Sequence, residues 1–397
     1  MSGVLLRLVC TAAVAAGTVL APVPAAAVPG PGAAGERSTA ELLTDLQALY
    51  REAEKATEAY NATEERLAGQ RAETERLDRS LTRVRLSLHD SRGAAGRLAR
   101  QQYQGSSGLS PYLRLLLARD PRHALDQGHV IGRMARERAR TVGRLTGDER
   151  EADALARRAR AALDAQLVLA ERRRKERDEV RERLHEVEEL LASLTAEELA
   201  ALAELERARV TEAQEELVAS GALSDGRPPS AGGDRALRYA VEQLGKPYEW
   251  GAEGPESYDC SGLTSEAWGA AGTPIPRTSQ EQWARLERVP LRELRPGDLV
   301  VYFPEATHVA LYLGDGMVVQ APRPGARVKV SPLAANPVLG AVRPDPDGEP
   351  LRRYVPPELP EEAAEGSDEG YGGSAAPAAD PVAPGADPAG LTRLAAP

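Results

Sequence analysis

The chain has 397 residues, of which 28% are charged and 4% aromatic, and a formal net charge of −10. That acidic balance excludes a protein held to nucleic acid by bulk charge, because such binding needs a concentrated basic face. So few aromatic residues, with one Phe in total, also exclude a single large packed core, so segments of different character are expected.

The first of these, MSGVLLRLVCTAAVAAGTVLAPVPAAAVPG, places one Arg before an apolar run. It ends near Ala25-Ala26-Ala27, small residues suited to cleavage, and reads as a secretory signal over 1–27. Gly17, Pro22 and Pro24 interrupt the run and leave it short of a membrane span. The mature protein is therefore expected outside the membrane, secreted or extracellular. Cleavage removes Cys10 and leaves Cys260 alone, and a lone thiol in an oxidising compartment is a candidate reactive group.

Residues 37–218 are rich in Ala, Glu, Arg and Leu, with few helix breakers. A seam runs through Leu42, Leu46, Leu49, Ala53, Ala56, Tyr60, Thr63, Leu67, Gln70, Thr74, Leu77, Leu81, Val84 and Leu88. Its alternating steps of four and three are the heptad pattern of a coiled coil, weakened at the polar Thr63, Gln70 and Thr74. A second seam, Val180, Leu184, Val187, Leu191 and Leu194, shifts at Leu199, Leu202 and Leu205, which reads as a stutter. Gly105, Gly108 and Pro111 break the first helix, so an antiparallel hairpin with a small helical cap is expected, with an intermolecular dimer as the competing arrangement. The charge-rich faces read as solvated flanks.

Residues 219–233, ASGALSDGRPPSAGG, read as a flexible linker. A compact segment is expected at 234–345. The Pro-, Ala-, Gly- and acid-rich stretch 346–397 is too poor in apolar residues to fold and is expected to be disordered.

The compact segment holds one Cys and one His, Cys260 and His308. Asp259 is a plausible cap for a helix starting at Cys260, whose positive end would favour the thiolate. His308 precedes two strand-like runs, Val309–Leu313 and Met317–Gln320, joined at Gly314-Asp315-Gly316. A two-residue turn would pair Leu311 with Gln320 and put His308 and Gln320 on opposite faces. A three-residue Gly-Asp-Gly loop pairs Ala310 with Gln320 and puts them on one face, and this loop is the one predicted. Cys260 as nucleophile, His308 as base and Gln320 orienting the ring would perform acyl transfer through a thioester. Asp298 in PGDLV reads as a turn residue, and no metal-ligand cluster or phosphate-binding glycine loop is recognised, so no cofactor is expected.

The blocks AVEQLGKPYEWGAEGPESYDCSGLTSEAW, IPRTSQEQW, LRPGDLVVYF and HVALYLGDGMVVQA resemble the NlpC/P60 family of papain-like cysteine peptidases. The resemblance implies an α+β papain-like domain, its nucleophile helix packed on an antiparallel sheet, preceded by the all-α coiled-coil hairpin. It implies Cys260, His308 and Gln320 as the catalytic set, although the third position is often His in the family. It also implies Tyr248 and Ser261 beside the oxyanion and the cleft, with Arg277 and Ser279 as further cleft residues. The implied reaction is hydrolysis of the D-glutamyl–diamino-acid amide in peptidoglycan stem peptides, by an enzyme associated with the cell wall. The coiled coil is expected to restrain the enzyme or to dock it on a membrane-bound division or elongation complex. A degenerate adaptor that only binds wall peptides, and an amidase or acyltransferase on the same fold, are the alternative readings.

Overall fold

The structure is a computed structural model that describes residues 37–105, 121–223, 226–360 and 363. The expected signal segment, residues 106–120 of the expected cap and most of the expected tail lie outside the described residues, and residues 121–134, also expected in the cap, belong to a long helix. No described helix is long and apolar enough to cross a membrane.

Helix α1 (Thr39–Gly105) and helix α2 (Pro121–Ala192) pack against each other along the chain. At 1.5 Å per residue, α1 extends about 100 Å. Leu77 and Leu81 meet Ala159 and Ala162, while Leu46 and Tyr50 meet Val187, so the two helices run antiparallel within one chain. The polar seam residue Gln70 donates from Nε2 to Ala162 O at 3.0 Å across the hairpin, which specifies its register.

The offset in the second seam is a helix break and not a stutter. Helix α2 ends at Ala192, and α3 (Ala196–Ala219) begins after a capping box in which Thr195 and Glu198 each accept from the other's backbone N–H. The segment SLTAEE carries that signature, and the reciprocal bonds satisfy donors that a continuous helix would not expose. Leu202 of α3 then turns back to pack on Leu42 and Leu43.

The C-terminal part is a six-stranded antiparallel sheet in the order β1-β6-β2-β3-β4-β5. Its strands are Glu287–Val289, Leu299–Tyr302, His308–Gly314, Met317–Gln320, Lys329–Pro332 and Val338–Arg343 for β1 to β6. Helices α4 (Ala231–Glu242) and α5 (Cys260–Ala270) cover one face, with Leu237, Leu263 and Trp268 packed on Leu299, Val301, Val309 and Leu311. On the other face, Val300, Tyr302, Ala310, Tyr312 and Val318 form a second cluster, against which Leu217 of α3 and Leu223 pack. Burial on both faces explains the continuous apolar runs LVVY and HVALYL, which lack the alternation of a half-solvated strand. A short helix α6 (Ser279–Arg285) completes the fold.

Two segments are more ordered than the composition suggested. Helix α4 starts at Ala231, inside the expected linker, because Ser230 caps it by accepting from Gly233 N–H at 2.8 Å. Residues 346–360 are likewise tied down, with Leu351 N–H donating to Pro229 O at 2.8 Å and Arg238 donating to Val355 O at 2.8 Å.

Replacing Thr195 by Ala removes half of the capping box and is expected to cost about 1 kcal/mol. A urea titration followed by circular dichroism should show a lower midpoint with an unchanged slope.

Candidate functional site

Helix α5 starts at Cys260 because Asp259 adopts extended backbone and its Oδ1 accepts from Gly262 N–H at 2.6 Å. Position 262 has to be Gly, since a Cβ there would lie 2.2 Å from Ala252 O. Asp259 is fully buried and does more than cap. Arg277 donates to both of its oxygens, at 3.0 and 2.7 Å, and Gly251 N–H donates to Oδ2 at 2.9 Å. Arg277 also reaches Ser261 Oγ at 2.8 Å and Glu253 at 2.6 Å. Arg277 therefore holds the backbone on which the thiol sits, a role that the motif IPRTS alone did not disclose.

Strand β3 begins at His308, and α5 packs against this strand. Leu311 pairs with Val319 and Tyr312 with Val318, a register that sets Ala310 opposite Gln320 as predicted. The expected three-residue loop is not the means. Asp315 and Gly316 form a two-residue turn with φ of 50° and 72°, Gly314 pairs with Met317, and a bulge between Tyr312 and Gly314 restores the register. Both turn positions are left-handed, as a type I′ turn requires, and Asp-Gly is suited to them. The bulge supplies the extra residue that brings His308 and Gln320 to one face.

His308 is fully buried, and its Nε2 lies 2.7 Å from Gln320 Oε1. An amide oxygen accepts only, so the ring proton sits on Nε2 and Nδ1 carries the lone pair available to a thiol proton. Among the described residues His308 Nδ1 has no hydrogen-bond partner, and Tyr302 stacks at a tilt with centroids 5.5 Å apart. The loop leading to His308 holds Phe303 and Ala306 at φ of 61° and 53°. Ser279 Oγ donates to Ala306 O at 2.7 Å, so Ser279 ties this loop to the start of α6. Tyr248 is buried, and its hydroxyl is pushed well above the usual range, first by burial and then by the charges of Cys260, Asp259, Glu54 and Glu58.

The residues that sequence reasoning missed belong to α1. Glu54, Glu58 and Asn61 recur at helical spacing and are buried, at 8%, 1% and 3% exposure. They were expected on a solvated flank, but that flank faces the catalytic domain. Glu58 accepts from Ser261 Oγ at 2.7 Å and from Ser279 N–H at 2.8 Å. Asn61 Nδ2 donates to Asp259 Oδ2 at 3.0 Å, and a Glu54 oxygen lies 3.6 Å from His308 Nδ1. Carboxylate oxygens of Glu58 and Asp259 and the Cys260 sulfur all lie within 4.8 Å of one another. Both carboxylates of this trio already accept hydrogen bonds from the protein.

These carboxylates invert the electrostatics expected of a helix N-terminus. Burial, followed by the charges of Glu58, Asp259 and Glu54, pushes the Cys260 thiol well above its ordinary value, with Arg277 opposing. Burial lowers His308 to about 4, against the Gln320 hydrogen bond and the Asp259 charge. Burial and then Glu58 raise Glu54 to about 8, and burial and then Asp259 raise Glu58 to about 7. With α1 in place, the thiol and the imidazole are both held neutral.

A cysteine at the start of a helix that packs on an antiparallel sheet, with a histidine on the facing strand, is the papain-like α+β arrangement. Residues 245–340 match the NlpC/P60 family, so this part of the chain is an NlpC/P60 domain. A probable endopeptidase of Mycobacterium tuberculosis is 38% identical over 120 residues, which are 30% of this chain and 31% of that one. The peptidoglycan endopeptidase RipA of Mycolicibacterium smegmatis is 34% identical over 132 residues, 29% of this chain and 27% of that one. The chain thus spans about a third or less of the length of these curated relatives. Among solved structures, RipD of Mycobacterium tuberculosis, described as a non-catalytic NlpC/p60 domain protein, is 32% identical over 28% of this chain and 96% of that one, with a TM-score of 0.26.

Two outcomes are expected. Arg277→Ala leaves Asp259 buried without its counter-charge and should cost about 3–5 kcal/mol, read as a fall in the urea midpoint. Glu54 and Glu58 are raised above their ordinary carboxylate values, so their contribution to the arm-closed state is fully present in acid and lost as pH rises through about 7 to 8. His308, lowered to about 4, acts in the opposite sense only below its ordinary value of 6.5. The melting temperature should therefore fall between pH 6.5 and 8.5, and Glu54→Gln should flatten that slope.

Proposed function

We propose that this chain is an exported cysteine peptidase that cuts peptidoglycan stem peptides at the D-glutamyl–diamino-acid amide. The observation that carries the reading is the hydrogen bond from His308 Nε2 to Gln320, which leaves Nδ1 as the base in a domain whose one cysteine heads the packed helix. The family match and the activities named for the relatives support the reaction class. The signal-like sequence of residues 1–27 supports a location at the cell wall.

In the mechanism, His308 Nδ1 takes the thiol proton and Cys260 Sγ attacks the amide carbon. In this reading the Cys260 backbone N–H and Tyr248 receive the developing oxyanion. The C–N bond breaks as the imidazolium returns its proton to the leaving amine, and an acyl thioester remains. Water then adds to the thioester, giving its proton to Nδ1, and the thiol is released with the carboxylic acid. Gln320 keeps the ring in the productive tautomer throughout. In this reading Ser261, Arg277 and Ser279 are substrate-cleft residues. A docking role of the hairpin on a membrane-bound division or elongation complex belongs to the same proposal.

The test is digestion of purified peptidoglycan by the full chain and by residues 221–397, which keep the sheet with nearly all of both core clusters. Soluble products identified by mass should carry one added water at the D-glutamyl amide. Cys260→Ala should abolish release, and His308→Ala should reduce it by about 10³-fold or more. Binding of wall material without any cleavage by either form would replace this reading with the adaptor.

A further inference from the structure

We propose that α1 carries an internal substrate mimic, with the Glu58 side chain seated in the subsite that takes the free carboxylate of a glutamyl substrate. The proposal rests on the peptidase reading above and deepens it. A glutamyl residue joined through its amine and one carboxyl group keeps its other carboxylate free. Glu58 offers that same group, and one of its oxygens approaches the nucleophile's sulfur within 4.8 Å.

The fit around Glu58 is that of a bound ligand. Its two oxygens are taken separately, one by Ser261 Oγ at 2.7 Å and the other by Ser279 N–H at 2.8 Å. Arg277, which bonds Ser261 Oγ at 2.8 Å, supplies positive charge behind them. All three residues belong to the catalytic domain and stand at the start of α5 and on the segment that leads into α6. A carboxylate on a long helix has water available on most of its circumference, and burying it costs several kcal/mol unless donors are already arranged to receive it. The donors here are arranged by the Asp259–Arg277 network, which stands on catalytic-domain residues.

The neighbours of Glu58 cover the rest of the machinery. Glu54, one turn earlier, stands 3.6 Å from the base nitrogen of His308. Asn61, one turn later, bonds Asp259. Tyr60 sets its ring edge on Trp250 at 5.1 Å, and Tyr60 and Asn61 close over Gly251. Residues 54–61 therefore screen nucleophile, base and cleft floor together, and the neutral thiol and imidazole agree with a resting state.

Clamps outside the cleft hold the mimic in place. Arg323, in the loop after β4, bonds both oxygens of Glu206 on α3 at 2.8 and 3.0 Å, and its guanidinium lies 4.9 Å over the Tyr50 ring of α1. Gln214 of α3 donates to Gly316 O at 2.9 Å and accepts from Ala334 N–H at 3.0 Å. Helices α1 and α3 are thus both tied to the domain, and an intramolecular ligand so tethered has a high effective concentration.

The test uses the full chain at pH 7 with Glu58→Ala, Glu58→Gln and Asn61→Ala, and with Glu75→Ala on the exposed flank of α1 as control. The rate of Cys260 alkylation by iodoacetamide is read from intact mass, with and without millimolar glutarate, beside digestion of peptidoglycan. Glu58→Ala is expected to speed both alkylation and digestion at least tenfold, glutarate to slow alkylation of that variant but not of the wild type, and Glu75→Ala to change nothing. Wild type reacting as fast as Glu58→Ala would overturn the proposal, as would an exposed thiol that glutarate fails to protect. A thiol that is exposed and protected by glutarate, with no wall digestion, would sink the peptidase reading and keep the mimic. Should Glu58→Ala melt below the assay temperature, the same contrasts are read from Glu58→Gln and Asn61→Ala, and no change in either overturns the proposal.

Discussion

The buried pair of Asp259 and Arg277 is the constraint on which the rest of the site depends. One carboxylate caps the nucleophile's helix, holds the loop at Gly251 and receives both arms of a guanidinium. A carboxylate this deeply buried tolerates no loose partner, because an unpaired charge in a low-dielectric interior costs far more than the pair contributes. The backbone around Cys260 therefore has little freedom, and Ser261 and Ser279 are presented in fixed positions. The same rigidity lets the Glu58 carboxylate of α1 dock on donors that are already in place.

The helical arm is part of the folded domain's packing. Leu217 of α3 and the adjoining Leu223 lie against the sheet face that α4 and α5 leave open. Displacing the arm would uncover apolar strand residues as well as the cleft, so opening the cleft and the stability of the fold are linked. That linkage explains why polar clamps such as Arg323–Glu206 sit beside an apolar contact. They add specificity to a surface whose stability comes largely from burial.

Much of the site was legible in the chain itself. An Asp before a Cys-Ser-Gly helix start discloses the cap, and the Gly-Asp-Gly spacing correctly set Ala310 opposite Gln320. The turn was still misassigned, because a two-residue loop with a bulge and a three-residue loop give the same register. The capping box SLTAEE was equally legible, and reading its offset as a stutter overlooked the reciprocal Thr195 and Glu198 bonds. Glu54 and Glu58 could not be recovered this way. On a heptad helix an acidic flank facing water and an acidic flank facing another part of the chain have the same period.

The sequence by itself determined the local matters: that the long arm is helical, that a helix starts at Cys260 and a hairpin at His308, and that this thiol and imidazole share a domain. Those follow from periodicity and capping, which act over a few residues. Only the tertiary structure decided that Arg277 belongs to Asp259 and that the first helix lays Glu58 against Ser261 and Ser279. Those contacts join residues 18 to 221 positions apart. Their free energy comes from burial and charge pairing in a low-dielectric interior, which exists only once the arm and the domain have packed.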